Sequence, residues 1–366
     1  MTDMSVQLCG MVFPNPVMPA AGPNCRDGAT LLAAAQGGAG GLVAKTVSVT
    51  PAAVPHPNMA GLRAGGLLNA ELWSELPVER FLEQEYALAS SAGLPLIASI
   101  GYTADELASL GPRVQATGVV DAIEFSIHYL GLGYEPVLAA AKALRRAVDL
   151  PILAKLSPTV PDPVELALQL EPHIDGLVAV NSFGPVLDFD IETLRTSLGS
   201  EDGCGWISGP PLKPLALRIV CDVARRFSKP IIGVGGISSG RDALQFMMAG
   251  ASAVQVCTAA IRRGQSVYGK IAAEMDVWLN DHGFSSVREV IGLFLRSGGP
   301  AAEIGSHRLA VNHARCDQCL RCVKHCIFQA LAEEVDEIHT RPERCGRCGL
   351  CLTVCPRSAL SFEEES

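Results

Sequence analysis

Eight of the chain's thirteen cysteines stand in two tandem runs near its end. Cys316, Cys319, Cys322 and Cys326 follow the spacing Cys-x2-Cys-x2-Cys-x3-Cys, and eighteen residues later Cys345, Cys348, Cys351 and Cys355 repeat it. Two-residue gaps let three thiolates wrap three corners of an iron–sulfur cube, while the fourth, one helical turn on, reaches the other cube. The pattern therefore predicts two [4Fe-4S] clusters held by these eight residues. A disulfide scaffold suits a secreted chain, and zinc knuckles take their ligands as two separated pairs rather than a triplet plus one.

Over about sixty residues the tail resembles a bacterial two-cluster ferredoxin. Pro356 follows the second run as that motif expects, and Ile327 stands where the first run would have proline. The first 300 residues read differently. The chain is 48% hydrophobic with 36 glycines and 18% charged residues, the profile of a buried-core α/β protein. Its net charge of −9 leaves no basic footprint for nucleic acid. No secretory signal pattern opens the sequence and no apolar run is long enough to span a membrane, so a cytoplasmic location is expected.

Eight apolar runs are expected as strands: Val17–Ala21, Gly41–Val47, Pro95–Gly101, Ala122–His128, Pro151–Leu156, Gly176–Asn181, Pro230–Gly235 and Ala253–Cys257. Continuous apolar runs are what parallel strands covered on both faces require. Segments with helical spacing lie between them, at Thr103–Ala116, Glu135–Val148, Leu215–Phe227 and Gly240–Ala249. Eight such alternations predict a (β/α)8 TIM barrel over residues 1–305, with a small ferredoxin-like [4Fe-4S] domain over 306–366. A doubly wound open sheet is the other α/β architecture the pattern allows. Two long connections, Thr50–Asn69 and Phe183–Pro211, read as non-periodic loops on the C-terminal face of the barrel, where active sites form.

Phosphate commonly binds after strands seven and eight of such a barrel. Strand seven ends in GVGGI, so Gly235 and Gly236 give a phosphate access to backbone N–H groups ahead of a helix, and Cys257 and Thr258 end strand eight beside them. Lys45 and Lys155 each close an apolar strand. Two lysines on the cofactor face read as donors to a flavin ring and ribityl chain; the competing reading is a salt bridge to a neighbouring glutamate. Asn181-Ser182 ends strand six, and small Ala20-Ala21 would let a flat ring lie against strand one.

These segments carry a resemblance. The barrel is similar to the dihydroorotate dehydrogenase superfamily, and barrel plus tail resemble the FMN half of dihydropyrimidine dehydrogenase and the matching subunit of the bacterial two-subunit enzyme. The similarity runs through LLNAELWSE (67–75), ILAKLSPTVPD (152–162), GLVAVNS (176–182), ISGPPLKPLALR (207–218) and the stretch 233–259. It implies FMN held by Ala20, Ala21, Lys45, Lys155, Asn181, Gly209, Gly235, Gly236, Cys257 and Thr258. It also implies substrate contacts at Asn69, Ser126, Asn181 and Ser182.

The chain departs from that family at its catalytic stretch, Asn-Leu-Ser-Cys-Pro, which here reads Glu124-Phe125-Ser126-Ile127-His128-Tyr129-Leu130-Gly131. Ser126 takes the asparagine position and Tyr129 the cysteine position. A phenol, with an ordinary pKa of about 10, can protonate a developing enolate. Tyr129 is the expected acid with His128 tuning it; His128 as donor, or water with both residues merely filling the pocket mouth, are the other assignments.

The expected activity is reduction or desaturation of an activated C=C bond in a small amide-like ring. No G-x-G-x-x-G fingerprint with a downstream acidic residue is present, so NAD(P)H is not expected to bind this chain. Electrons would come from a partner, an NAD(P)H–FAD subunit or a ferredoxin, and a homodimer or heteromer is expected by analogy with the related enzymes. The contrasting expectations are an electron-transfer subunit with FMN as relay and no substrate of its own, and a zinc-stapled barrel without a redox role.

Overall fold

The computed structural model describes residues 2–63, 65–126, 133–297 and 307–364. The chain divides into two compact units, residues 1–298 and 299–366.

The first unit is built on eight parallel strands: β1 (Val17–Pro19), β2 (Leu42–Val43), β3 (Leu96–Ile100), β4 (Ala122–Ser126), β5 (Ile152–Leu156), β6 (Gly176–Ala179), β7 (Ile231–Val234) and β8 (Ala253–Val256). All eight fall inside the expected apolar runs. They pair in the order β1-β8-β7-β6-β5-β4-β3-β2. Between the two end strands the Gly40 N–H donates to the Val17 carbonyl at 2.8 Å, which brings the sheet close to a closed barrel. The strands are buried along their whole length because helices cover the outside and side chains fill the inside.

The helices start where their sequences cap them. Thr103 and Glu106 form a reciprocal capping box that opens Ala104–Gln115, and the Ser239 side chain accepts from Asp242 N to open Gly240–Met248. Lys213–Ala224 begins two residues before the expected Leu215, since Pro214 suits a first helical turn whose N–H groups have no intrahelical partner.

The two long connections are not irregular, which corrects the sequence reading. Phe183–Val186, Gly205–Ser208, Leu67–Asn69 and Met59–Gly61 pair in that order as one four-stranded antiparallel sheet, with Trp206 opposite Asn69. Leu68, Ala70 and Leu198 form a small core of their own beneath it. Loops following β2 and β6 are thereby tied together.

The second unit contains two antiparallel pairs, His307–Val311 with Leu360–Glu364 and Leu331–Glu334 with Glu337–Thr340, and two five-residue helices, Arg321–His325 and Leu350–Val354. Its core is small: Leu309, Leu331, Ile338 and Leu360, with Cys322 and Cys351.

Candidate active site

The C-terminal ends of the barrel strands, together with the antiparallel sheet, enclose a cavity with about 1070 Å³ of empty space including its mouth. Every described residue expected to contact cofactor or substrate lines it. Ala20 and Ala21 follow β1, Lys45 follows β2, Ser126 ends β4, Lys155 lies in β5 and Asn181 and Ser182 follow β6. Gly209, Gly235, Gly236, Cys257, Thr258 and Asn69 complete the set. A parallel barrel makes this convergence automatic, because each strand delivers its last residue to the same rim.

The salt-bridge reading of the two lysines is borne out, and both also face the cavity. Lys155 Nζ lies 3.2 Å from Glu124 Oε1 and 3.3 Å from Gln255 Oε1, and Gln255 Nε2 donates to Glu124 Oε2 at 2.7 Å. Glu124 and Gln255 are fully buried, so the ammonium is held in a closed triangle inside the barrel. An ammonium has three N–H donors, and this triangle uses two of them. Lys45 pairs instead with Glu71, whose other oxygen accepts from Asn58 Nδ2 at 2.6 Å. Glu71 itself lines the cavity, so this carboxylate faces whatever binds there.

The remaining polar groups are pre-oriented. Asn181 Nδ2 donates to Ser126 Oγ at 3.1 Å and its Oδ1 accepts from Ser182 N at 2.9 Å. Asn69 Nδ2 donates to the Trp206 carbonyl at 3.0 Å, so the antiparallel sheet fixes that amide. Each asparagine retains a second amide N–H. Thr258 Oγ1 and Ser208 Oγ lie 2.9 Å apart.

Two glycines are dictated by space. Gly235 has φ +134° and a Cβ there would lie 2.6 Å from that of Ala216; Gly236 has φ +73° and its Cβ would lie 2.6 Å from the Gly209 carbonyl oxygen. The loop after β7 is therefore pure backbone against the loop at 209, a cradle of the kind a phosphate needs. Burial pushes the Cys257 thiol up to about 11 against the pull of Lys155 and Lys45, so it stays neutral.

Tyr129 and His128 lie outside the described residues. Several lining residues had not been singled out in the sequence: Thr46, Glu71, Tyr102, Trp206 and Gln255. Burial, with the Glu106 carboxylate adding to it, pushes the Tyr102 phenol above its ordinary range and keeps it protonated. The available signal for Glu124 and Gln255 was a polar residue inside an apolar strand, the same signal that marked the lysines.

The cysteines of the second unit form a repeat in space as well as in sequence. Left-handed backbone at Gln318, Leu320 and Gln329 recurs 29 residues on at Arg347, Gly349 and Ser358. After each helix the fourth cysteine accepts a backbone N–H at its sulfur, Ala330 N to Cys326 Sγ at 3.2 Å and Ala359 N to Cys355 Sγ at 3.3 Å. The runs also interlock. Cys322 has Cys316 and Cys355 as charge neighbours, while Cys351 has Cys345, Cys348 and Cys326. Cys326, Cys345, Cys348 and Cys351 line one small cavity with Leu309, Phe328 and Phe362. Among the described residues no three His, Cys, Asp or Glu side chains are grouped for a single metal ion.

The dihydroorotate dehydrogenase family model matches residues 3–279, and the 4Fe-4S binding domain model matches residues 338–361, which hold the second cysteine run. Catalytic subunits of dihydroorotate dehydrogenase B (NAD(+)) are 36% identical over 304 residues in Thermococcus kodakarensis and 37% over 303 in Methanothermobacter thermautotrophicus. The Geobacter sulfurreducens subunit is 35% identical over 307 residues. These matches cover 79–80% of this chain and 97–98% of the relatives. No described helix is long and apolar enough to cross a membrane. The chain belongs to the dihydroorotate dehydrogenase family, oxidoreductases acting on a CH–CH bond, and carries in addition a 4Fe-4S binding segment.

Proposed function

We propose that the chain is an FMN-dependent, cluster-linked oxidoreductase that interconverts a C=C and a CH–CH bond in a cyclic, amide-like substrate of the pyrimidine type. The observation that carries the reading is the single cavity lined by Lys45, Lys155, Asn69, Ser126, Asn181, Ser182 and the Gly235-Gly236 cradle. Two ammonium groups, a backbone cradle and small Ala20 and Ala21 form a donor set suited to a flavin's phosphate, carbonyls and flat ring. Bound there, FMN supplies the nitrogen that gives or takes a hydride.

The chain's own residues supply the rest. Asn69 and Asn181 offer amide donors to ring carbonyls, and Glu71 accepts from a ring N–H. Tyr129 gives or takes the proton on the carbon next to the hydride, with His128 beside it. We assign the eight cysteines to two [4Fe-4S] clusters, since the crossing of Cys326 and Cys355 between the runs is the ligation of a two-cluster ferredoxin. The relatives' name includes NAD(+), while this sequence lacks a dinucleotide fingerprint, so we place any nicotinamide step on a partner chain.

The test is anaerobic. The purified chain is reduced with dithionite, the excess is removed, and flavin and cluster absorbance are followed as orotate, uracil, thymine and other cyclic enamides are added. Reoxidation by one of them supports the reading and names the substrate. A flavin that stays reduced with every organic acceptor, yet passes electrons to a carrier protein, would remove the catalytic reading in favour of a relay.

A further inference from the structure

We propose that the face over the cavity of Cys326, Cys345, Cys348 and Cys351 docks an acidic one-electron carrier protein. The inference rests on the assignment of these cysteines to a cluster. Three large apolar side chains are exposed beside that cavity: Ile327 at 75%, Phe328 at 42% and Leu350 at 39%. Phe328 and Leu350 line the cavity itself, and Ile327 adjoins Phe328. An apolar centre within one side chain of the cysteines suits close approach by a redox partner.

The rim decides which partner. His325 and Arg347 also line the cavity, and exposed Lys324 and Arg344 flank it, with Glu343 and Glu363 the adjoining acids. Four of the unit's other acids are set apart. Glu333, Glu334, Asp336 and Glu337 lie on the hairpin Leu331–Thr340, whose turn is held against the first run by Gln318 Nε2 donating to the Asp336 carbonyl. Asp317, also in the first run, pairs with Arg357. Basic side chains thus outnumber acidic ones around the second group of cysteines, while the acidic hairpin, together with Arg315 and Arg321, lies beside the first. A basic rim around an apolar centre selects an acidic partner, steers its approach and repels a basic one.

In the step itself the reduced carrier loses one electron and the group held by the four cysteines gains it; no bond or proton changes hands. The sequence pattern alone would not have pointed here, because bulky Ile327 occupies the place where the motif has proline.

The probe is a small, acidic, plant-type [2Fe-2S] ferredoxin, offered to the full chain with its clusters loaded. Anisotropy of the labelled probe reads binding and stopped-flow absorbance reads electron transfer, at about 20 and 500 mM salt. We expect both to weaken about tenfold or more at high salt. The Lys324→Glu/Arg344→Glu variant is expected to lose a similar factor at low salt, while iron content and reduction by photoexcited deazaflavin stay unchanged. Ile327→Ser, at an exposed position, is expected to weaken binding several-fold at both salt concentrations. Salt-insensitive binding, or a basic c-type cytochrome binding more tightly than the ferredoxin, overturns the proposal. So does self-association of the chain through this face, abolished by the same variants. Absence of iron from the reconstituted chain overturns the cluster assignment, an outcome distinct from iron present without docking.

Discussion

The barrel and the cysteine unit build their sites in opposite ways. The barrel's cavity gathers residues from Ala20 to Ile261, and what brings them together is a large apolar core: Phe13, Met18, Leu31, Phe81, Tyr86, Phe125 and Phe246 are essentially fully buried. The cysteine unit's eight candidate ligands fall within forty consecutive positions, over a small core that includes Cys322 and Cys351 among the described residues. The unit also holds Gln318, Leu320, Gln329, Arg347 and Ser358 in left-handed backbone, a conformation unfavourable for residues with a Cβ. In one region a large core sets the site; in the other the candidate ligands are themselves part of the core.

The sharpest way to break that contrast is to remove the iron that these cysteines are proposed to hold. Chelation under oxidising conditions is expected to abolish hydrogen-exchange protection across 307–364 while leaving the barrel's thermal transition in place. A cysteine unit still protected without iron would end the comparison. Cys351→Ala is expected to remove roughly half the iron, since four of eight ligands lose their group.

The next largest effect belongs to the barrel. Glu124→Ala leaves the Lys155 ammonium buried without its carboxylate, which should destabilise the unit by about 3–5 kcal/mol in urea unfolding. Glu124→Leu combined with Lys155→Met should recover much of that loss, at the expense of the cavity's ammonium. A small effect of Glu124→Ala would mean that water reaches the triangle.

What the sequence made legible follows the same division. Strand positions were readable because parallel strands covered on both faces need unbroken apolar runs, and the two cysteine runs stand out because their local spacing is that of cluster-binding motifs. Pairing at long range was not readable. The sheet over the cavity joins Leu67–Asn69 to Gly205–Ser208, pieces of three and four residues, too short to show a period and more than a hundred positions apart. Glu124, Lys155 and Gln255 stand out singly as polar residues in apolar strands, yet that they close on one another depends on barrel order. The antiparallel sheet also explains why Asn69 was recognisable while Glu71, two residues on, was not: the motif marked the amide, and only the cavity shows the carboxylate beside Lys45.

A smaller effect is expected at the cradle. Gly235→Ala should cost about 1–3 kcal/mol through its positive φ and the clash with Ala216, and lower FMN affinity more than it lowers stability. Flavin fluorescence titration against the unmodified chain separates the two. Equal losses would mean the loop serves packing rather than a phosphate.

The smallest expected effect concerns pH, and it probes how the barrel keeps that cradle in place. Asp242 accepts from Ser238 N and Oγ, both at 2.9 Å, and from Lys213 Nζ at 2.5 Å, so one carboxylate ties the loop after β7 to the helix at Lys213. Burial alone would raise its pKa; the Lys213 ammonium and the Ser238 and Ser239 hydrogen bonds outweigh it and hold the group below its ordinary value. A depressed carboxyl contributes stability that is fully present above the unfolded value of about 3.9 and disappears as pH falls through the lower folded value. Acid should therefore loosen this loop only below about pH 4, and Asp242→Asn should flatten that limb of the barrel's stability curve while lowering the plateau at neutral pH. The cysteine unit offers the contrast: on the proposed cluster assignment, protons displace its thiolates according to the affinity of the iron rather than a packed salt bridge. Iron loss and barrel unfolding followed together on one acid titration should come apart; a single shared transition would show that the two ways of building a site are not independent in this chain.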